Sequence, residues 1–180
     1  MSGDFATFAS ARIRSVPDWP EPGVTFRDIT PLLADAQALA TTMAALTEAA
    51  DRLGPVDKVV GVEARGFVLA SPIAVGVGAG FVPVRKAGKL PAAVESRDYG
   101  SEYGSATLEI HRDAIAPGER VLIVDDVLAT GGTLAAVREL VAALGGEVIG
   151  ELVLVELADL GARRRLGESV TSLLVFADDA

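Results

Sequence analysis

Two adjacent carboxylates, Asp125 and Asp126, stand directly before a turn that reads Ala129-Thr130-Gly131-Gly132-Thr133. The run that leads into the acids, from Val121, is apolar and β-branched, as a parallel strand buried on both faces would be. Behind the turn, Leu134, Val137, Leu140, Val141 and Leu144 recur at helical spacing. The pattern therefore predicts a strand, an acidic edge, a glycine-rich turn and a helix N-terminus. Backbone N–H groups left over at such a turn converge on one point, the helix dipole adds partial positive charge, and Thr130 and Thr133 bring hydroxyls. A phosphate suits that point. Two carboxylates beside a phosphate repel it unless they accept hydrogen bonds from neutral hydroxyls or hold a metal between themselves and the ligand. A ribose phosphate meets both demands.

A second strand-to-helix turn has similar chemistry. Lys58 to Val62 reads as a short buried strand, Glu63-Ala64-Arg65-Gly66 follows, and Phe67 to Val77 resumes an apolar helical pattern. Arg65 at the positive end of a helix costs a few tenths of a kcal/mol unless an anion faces it. Phe81 to Arg85 reads as the next strand and delivers Arg85, Lys86 and Lys89 at once; only three lysines occur in the chain, so two within four residues mark a polyanion site. Gly76, Gly78 and Gly80 imitate a dinucleotide fingerprint but precede a strand instead of opening a helix.

The remaining elements position these groups. Phe5 to Ser15 suits a short helix. Pro17, Pro20 and Pro22 forbid regular structure up to Gly23, and Phe26 and Arg27 then fall in a loop. Asp35 is placed to cap a helix marked by Leu39, Met43, Leu46, Ala50 and Leu53. Ala93 to Gly104 and the alternating stretch after it form a long hairpin with a mobile tip. Val148 to Val155 and Val170 to Phe176 are further strands, and Asp159 to Leu166 is a short helix whose Arg163-Arg164-Arg165 run reads as a solvated face.

The 180 residues suit one domain, and a net charge of −9 argues against a nucleic-acid surface. With no cysteine, disulfides and thiolate metal sites are excluded, and the one histidine, His111, cannot build a zinc site alone and reads as structural. No leader pattern or membrane-length apolar run is present, so the cytoplasm is expected and a membrane is not.

The stretches VTFRDITPLL, EARGF, VRKAGKLP and VDDVLATGGT resemble, in order and approximate spacing, the adenine branch of the type I phosphoribosyltransferases, and the resemblance covers nearly the whole chain. It implies an α/β fold, a doubly wound, mostly parallel sheet with a flexible hood hairpin at 93–105 and an N-terminal base-binding segment at 1–33 of a single 1–180 domain. The implied reaction moves ribose 5-phosphate from phosphoribosyl diphosphate to adenine, with Mg²⁺ carried mainly by the diphosphate and no direct protein ligand to metal. A homodimer is implied as well.

Residue by residue, the resemblance puts Asp125, Asp126, Ala129, Thr130, Gly131, Gly132 and Thr133 on the ribose and its 5′-phosphate. Glu63, Ala64, Arg65, Arg85, Lys86 and Lys89 go to the diphosphate, and Thr25, Phe26 and Arg27 to adenine. Arg65 and Glu102 are the catalytic pair it implies, with Tyr103 beside Glu102 in the hood. A non-proline cis peptide is implied between Glu63 and Ala64. In 6-oxopurine relatives an aspartate typically stands where this chain has Ala129, which leaves Glu102 as the proton partner of the base. A sensor that binds phosphoribosyl diphosphate without reaction would need an effector module, for which the chain has neither the length nor the charge.

Overall fold

The computed structural model describes residues 3–101 and 104–177. The chain divides into two compact units, residues 1–45 and 46–180. The first contains α1 (Gly3–Ser10), β1 (Arg14–Val16), β2 (Phe26–Asp28), α2 (Thr30–Ala34) and the start of α3 (Ala36–Asp51). The helix expected to reach Ser15 stops at Ser10, because Arg14, Ser15 and Val16 pair antiparallel with Asp28, Arg27 and Phe26. That pairing also corrects the loop expected for Phe26 and Arg27. Once the proline-rich turn has reversed the chain, the two segments lie side by side and satisfy each other's backbone groups. At the start of α3, Asp35 caps as expected, its Oδ1 accepting from the N–H groups of Gln37 and Ala38 at 3.0 Å each.

The second unit follows a strand and helix alternation. Its elements are β3 (Lys58–Val62), α4 (Arg65–Val77), β4 (Gly80–Lys86), β5 (Val94–Ser101), β6 (Gly104–His111), β7 (Arg120–Leu128), α5 (Gly132–Ala143), β8 (Glu147–Leu157), α6 (Arg163–Leu166) and β9 (Val170–Phe176). They form a seven-stranded sheet of order β5-β6-β4-β3-β7-β8-β9. From β4 to β9 neighbouring strands are parallel, whereas β6 runs antiparallel to β4 and to β5. This is the mostly parallel sheet with a hairpin at its edge that the resemblance implies. Val60, Val62, Val121, Ile123 and Val153 from the strands and Val137, Leu140 and Val141 from α5 share one core cluster. Burial on both faces explains their unbroken apolar runs.

The chain winds from β3 outward to β4, then returns to the other side of β3 as β7 and continues to β9. The order of strands reverses between β3 and β7, and in open parallel sheets the crevice beyond the carboxyl ends at such a reversal is where ligands bind. β7 also runs further than its apolar stretch predicts, to Leu128, because β8 keeps pairing with it at Asp125↔Val153, Val127↔Val155 and Leu128↔Glu156. Asp125 and Asp126 therefore lie inside a central strand.

The arginine run on α6 is not a uniformly solvated face. Arg163 grips the buried carboxylate of Glu156 with two nitrogens at 2.8 and 2.7 Å, and Ser172 donates its hydroxyl to the same carboxylate at 2.6 Å. These bonds hold the Glu156 carboxyl below its usual range, Arg163 first, against the opposing effect of burial. A carboxylate on the sheet needed a cation, and α6 supplies it. A similar pair joins Arg138 of α5 to Glu151 of β8, with Arg138 Nε 2.7 Å from Glu151 Oε1.

Candidate active site

The turns after β3 and β7 meet because their strands are neighbours, with Gly61 opposite Val124. Both open helices that lack a side-chain cap and carry no acid in the first turn. No side chain caps their leading N–H groups, and no acid within either first turn offsets the helix dipole. Gly131 takes a left-handed φ of +80° at the N-cap of α5, a conformation that other residues adopt at a cost. A Cβ at Gly66 would stand 2.8 Å from Asp125 Oδ1 and 3.1 Å from the Val124 carbonyl oxygen, so only glycine lets α4 start against the acidic end of β7. The peptide between Glu63 and Ala64 is cis, as the resemblance implies.

One ion pair crosses from turn to turn, with Arg65 Nε 2.8 Å from Asp126 Oδ2. That oxygen is buried, yet no donor is aligned on it for a hydrogen bond. Charge neutralises it while its lone pairs stay open, a condition that favours an incoming hydroxyl. The sequence reading put both acids at an open edge; instead they are 8% and 5% exposed. Burial and then the charge of Asp126 push the Asp125 carboxyl well above its ordinary range. Burial also raises Asp126, opposed chiefly by the Arg65 guanidinium. Asp125 Oδ1 accepts the Asp126 backbone N–H at 2.9 Å.

The basic residues after β4 separate into two kinds. Arg85 is held, with Nε 3.1 Å from Glu63 Oε2 and NH1 3.0 Å from the Lys89 carbonyl oxygen. Glu63 also accepts the Lys86 backbone N–H at 3.2 Å, so this carboxylate ties the first turn to the basic loop. Lys86 and Lys89 are exposed, and among the described residues neither ammonium has an ion-pair partner. Two exposed cations thus follow a strand beside a turn whose own cation, Arg65, faces an acid.

In the first unit, Trp19 and Phe26 meet edge to face with ring centroids 4.5 Å apart. With Val16 and Asp28 they line a pocket of about 260 Å³. Arg27 donates to the Ser15 hydroxyl at 2.5 Å, and Thr25 is half-buried at the entry to β2. Glu102 and Tyr103 lie outside the described residues. His111 sits opposite Val94 at the foot of the hairpin, away from the pairs that build the site.

Two further residues stand beside these groups without a local signal in the sequence. The prolines around Trp19 mark a crossing and hide its contact with Phe26. Arg165 lies inside a charge run, yet its NH1 lies 3.2 Å from the point where a Cβ on Gly132 would stand, at the mouth of the glycine turn. The carbonyl oxygen of Gly100, on β5, lies 2.5 Å from the same point, so the hairpin reaches this turn too. No group of three or more histidine, cysteine or acidic side chains able to hold a metal occurs among the described residues.

Two uncapped helix starts at a strand-order reversal, with buried acids between them and cations beside them, form a candidate site for a phosphorylated sugar. A family profile described as a phosphoribosyl transferase domain matches residues 32–172. Among relatives, the adenine phosphoribosyltransferase of Cutibacterium acnes is 58% identical over 154 residues, 86% of this chain and 86% of that protein. The crystal structure of adenine phosphoribosyltransferase from Rhodothermus marinus superposes with a TM-score of 0.91 at 46% identity, covering 97% of this chain and 100% of that one. The Saccharomyces cerevisiae enzyme, complexed with adenine and an imino-altritol bisphosphate, gives 0.87 at 37% identity over 96% of this chain and 100% of that one. The chain belongs to the adenine phosphoribosyltransferase family.

Proposed function

We propose that the protein transfers the 5-phosphoribosyl group of phosphoribosyl diphosphate to N9 of adenine, with AMP and diphosphate as products, and so serves purine salvage. The observation that carries this reading is the Arg65 to Asp126 bridge between two anion-ready helix starts. The α5 turn, through Ala129, Thr130, Gly131, Gly132 and Thr133, takes the 5′-phosphate, and Arg165 adds charge there. The α4 turn takes the diphosphate through the Ala64 and Arg65 backbone and the Arg65, Lys86 and Lys89 side chains, while Glu63 and Arg85 hold the turn and the basic loop together.

Before substrate arrives, Arg65 covers Asp126. A diphosphate draws the guanidinium toward itself and uncovers the carboxylate for the ribose hydroxyls, with Asp125 beside it. The arginine exchanges one counter-ion for another, and the acid exchanges its cation for hydrogen bonds from the ribose hydroxyls. As the bond from C1 to the diphosphate breaks, positive charge grows on the ribosyl carbon and negative charge on the departing oxygen. Arg65, Lys86 and Lys89 stabilise the latter in place. Magnesium would come mainly with the diphosphate, whose oxygens are hard ligands, and when bound would neutralise leaving-group charge. Thr25, Phe26 and Arg27 hold adenine, and Glu102 exchanges the proton at the imidazole edge of the base while Tyr103 helps the hood exclude water.

The two units act as one phosphoribosyltransferase domain in this reading, and the protein works as a homodimer in the cytoplasm. Exposed Val68 and Val75 on α4 and Phe81 on β4 support self-association, which sedimentation would test. No described helix is long and apolar enough to cross a membrane. The reaction itself is tested by supplying adenine or hypoxanthine with phosphoribosyl diphosphate and Mg²⁺. AMP from adenine, and far less IMP from hypoxanthine, is the expected outcome; equal rates would overturn adenine as the substrate.

A further inference from the structure

We infer that Trp19 is a second aromatic wall of the base pocket and contributes to holding the purine, an inference that rests on the reading of Phe26 as an adenine contact. Trp19 is the only tryptophan in the chain and is 51% exposed, although a residue of this size normally hides most of its surface. It is nevertheless held firmly. Asp18 adopts a φ of +54° and accepts the Gly23 N–H on Oδ1 at 2.8 Å, and the Trp19 N–H donates to the Val24 carbonyl oxygen at 3.1 Å. A turn with these ties presents the indole to Phe26 at a centroid distance of 4.5 Å and an interplanar angle of 68°. That edge-to-face arrangement is one that ring quadrupoles favour.

The pocket between Val16, Trp19, Phe26 and Asp28 measures about 260 Å³. Sites for drug-sized ligands run from about 300 to 1,000 Å³, so this one suits a bare bicyclic base and is too small for a whole nucleotide. Its single carboxylate is already committed. Asp28 Oδ2 accepts from Arg14 Nε at 3.1 Å and NH2 at 2.5 Å, and Oδ1 accepts from the Thr30 N–H at 2.9 Å and from the Thr30 hydroxyl. A carboxylate has about four lone-pair sites, and four donors occupy them. Asp28 has nothing left for a base, and recognition in this pocket falls to the flat apolar surfaces of Trp19 and Phe26. Because the two rings meet edge to face, they form a corner against which one flat base can lie.

Steady-state kinetics on Trp19→Ala, Trp19→Phe and Phe26→Ala, with intrinsic fluorescence of the wild type excited where adenine does not absorb, tests the assignment. Loss of an aromatic wall should raise KM for adenine about 3- to 10-fold in Trp19→Ala, with kcat and KM for phosphoribosyl diphosphate within about twofold. Trp19→Phe should restore most of the loss, and adenine or AMP should change Trp19 fluorescence saturably. An active wild type whose fluorescence ignores both ligands, together with an unchanged KM for adenine in Trp19→Ala, would overturn the role of Trp19 alone. If Phe26→Ala also leaves KM for adenine unchanged, the base pocket itself is misplaced and the inference falls with it.

Discussion

The turns after β3 and β7 share a backbone plan and differ in side-chain chemistry. Each opens an uncapped helix at the same end of neighbouring strands. The α4 turn brings fixed charge: Arg65 on the turn itself, Lys86 and Lys89 from the loop after β4, and a Glu63 to Arg85 pair that holds them in place. The α5 turn brings glycines, hydroxyls and backbone N–H groups, preceded by two buried acids. On the proposed function, the difference matches two anions with different fates. A leaving group must be stabilised as its charge grows, which calls for cations, whereas a 5′-phosphate keeps its charge throughout and needs only a cradle.

If that division is right, the largest loss comes from the charged turn. Arg65→Ala should lower kcat/KM for phosphoribosyl diphosphate by about 10²- to 10³-fold, the range for removing one transition-state donor, with most of the loss in kcat. A loss confined to KM would make Arg65 a binding group and blur the contrast. Glu102→Leu, outside both turns, should cost about 10²-fold through lost acid-base assistance. A change below threefold would remove Glu102 from the chemistry.

Next in size is Asp125→Asn with Asp126→Asn, which should weaken substrate use about 10- to 10²-fold, the loss that goes with one hydrogen bond to a charged group at about 1.5–3 kcal/mol. Steady-state kinetics with calorimetry separates this from unfolding. Unchanged kinetics would end the assignment of the acids to the ribose.

Asp125→Asn alone sharpens the comparison on the stability side. The folded-state carboxyl is raised, so the folded chain holds its proton more tightly than the unfolded chain, whose value is about 3.9. Stability from this group is therefore present below about pH 4 and is lost as pH rises toward the folded value. Asn removes that slope, and the variant should melt a few degrees higher than the wild type near neutral pH but not near pH 4. Equal melting curves at both pH values would show the acid pair to be well solvated.

The smallest effect concerns Asp28 in the first unit, which behaves oppositely. The Thr30 hydroxyl first, then Arg14, lower its carboxyl to about 2. A depressed carboxylate stabilises the fold above its unfolded value, and that contribution fades as pH falls from about 4 to about 2. Asp28→Asn should flatten this acid limb of the melting profile and leave the neutral limb nearly intact. An unaltered acid limb would show the Asp28 contacts to be energetically idle.

Local signals carried much of the fold and the site into the sequence. Apolar runs of strand length, helical spacing after Thr133, the Asp35 cap and the glycine turn each depend on a few adjacent residues, so the strand and helix alternation and the two strand-to-helix turns of the candidate site were legible there. Pairing across distance was not. That β7 extends to Leu128, and so buries Asp125 and Asp126, depends on β8 as its partner. That Phe26 lies in a strand depends on β1, and that Arg163 serves Glu156 depends on α6 lying against the sheet. Only the strand order brings Arg65 onto Asp126, because a charge run or a strand-end acid states its sign in the sequence and never its partner. Trp19 and Arg165 were invisible for the same reason: their neighbours are set by the folded chain's three-dimensional path, where burial and counter-charge are decided.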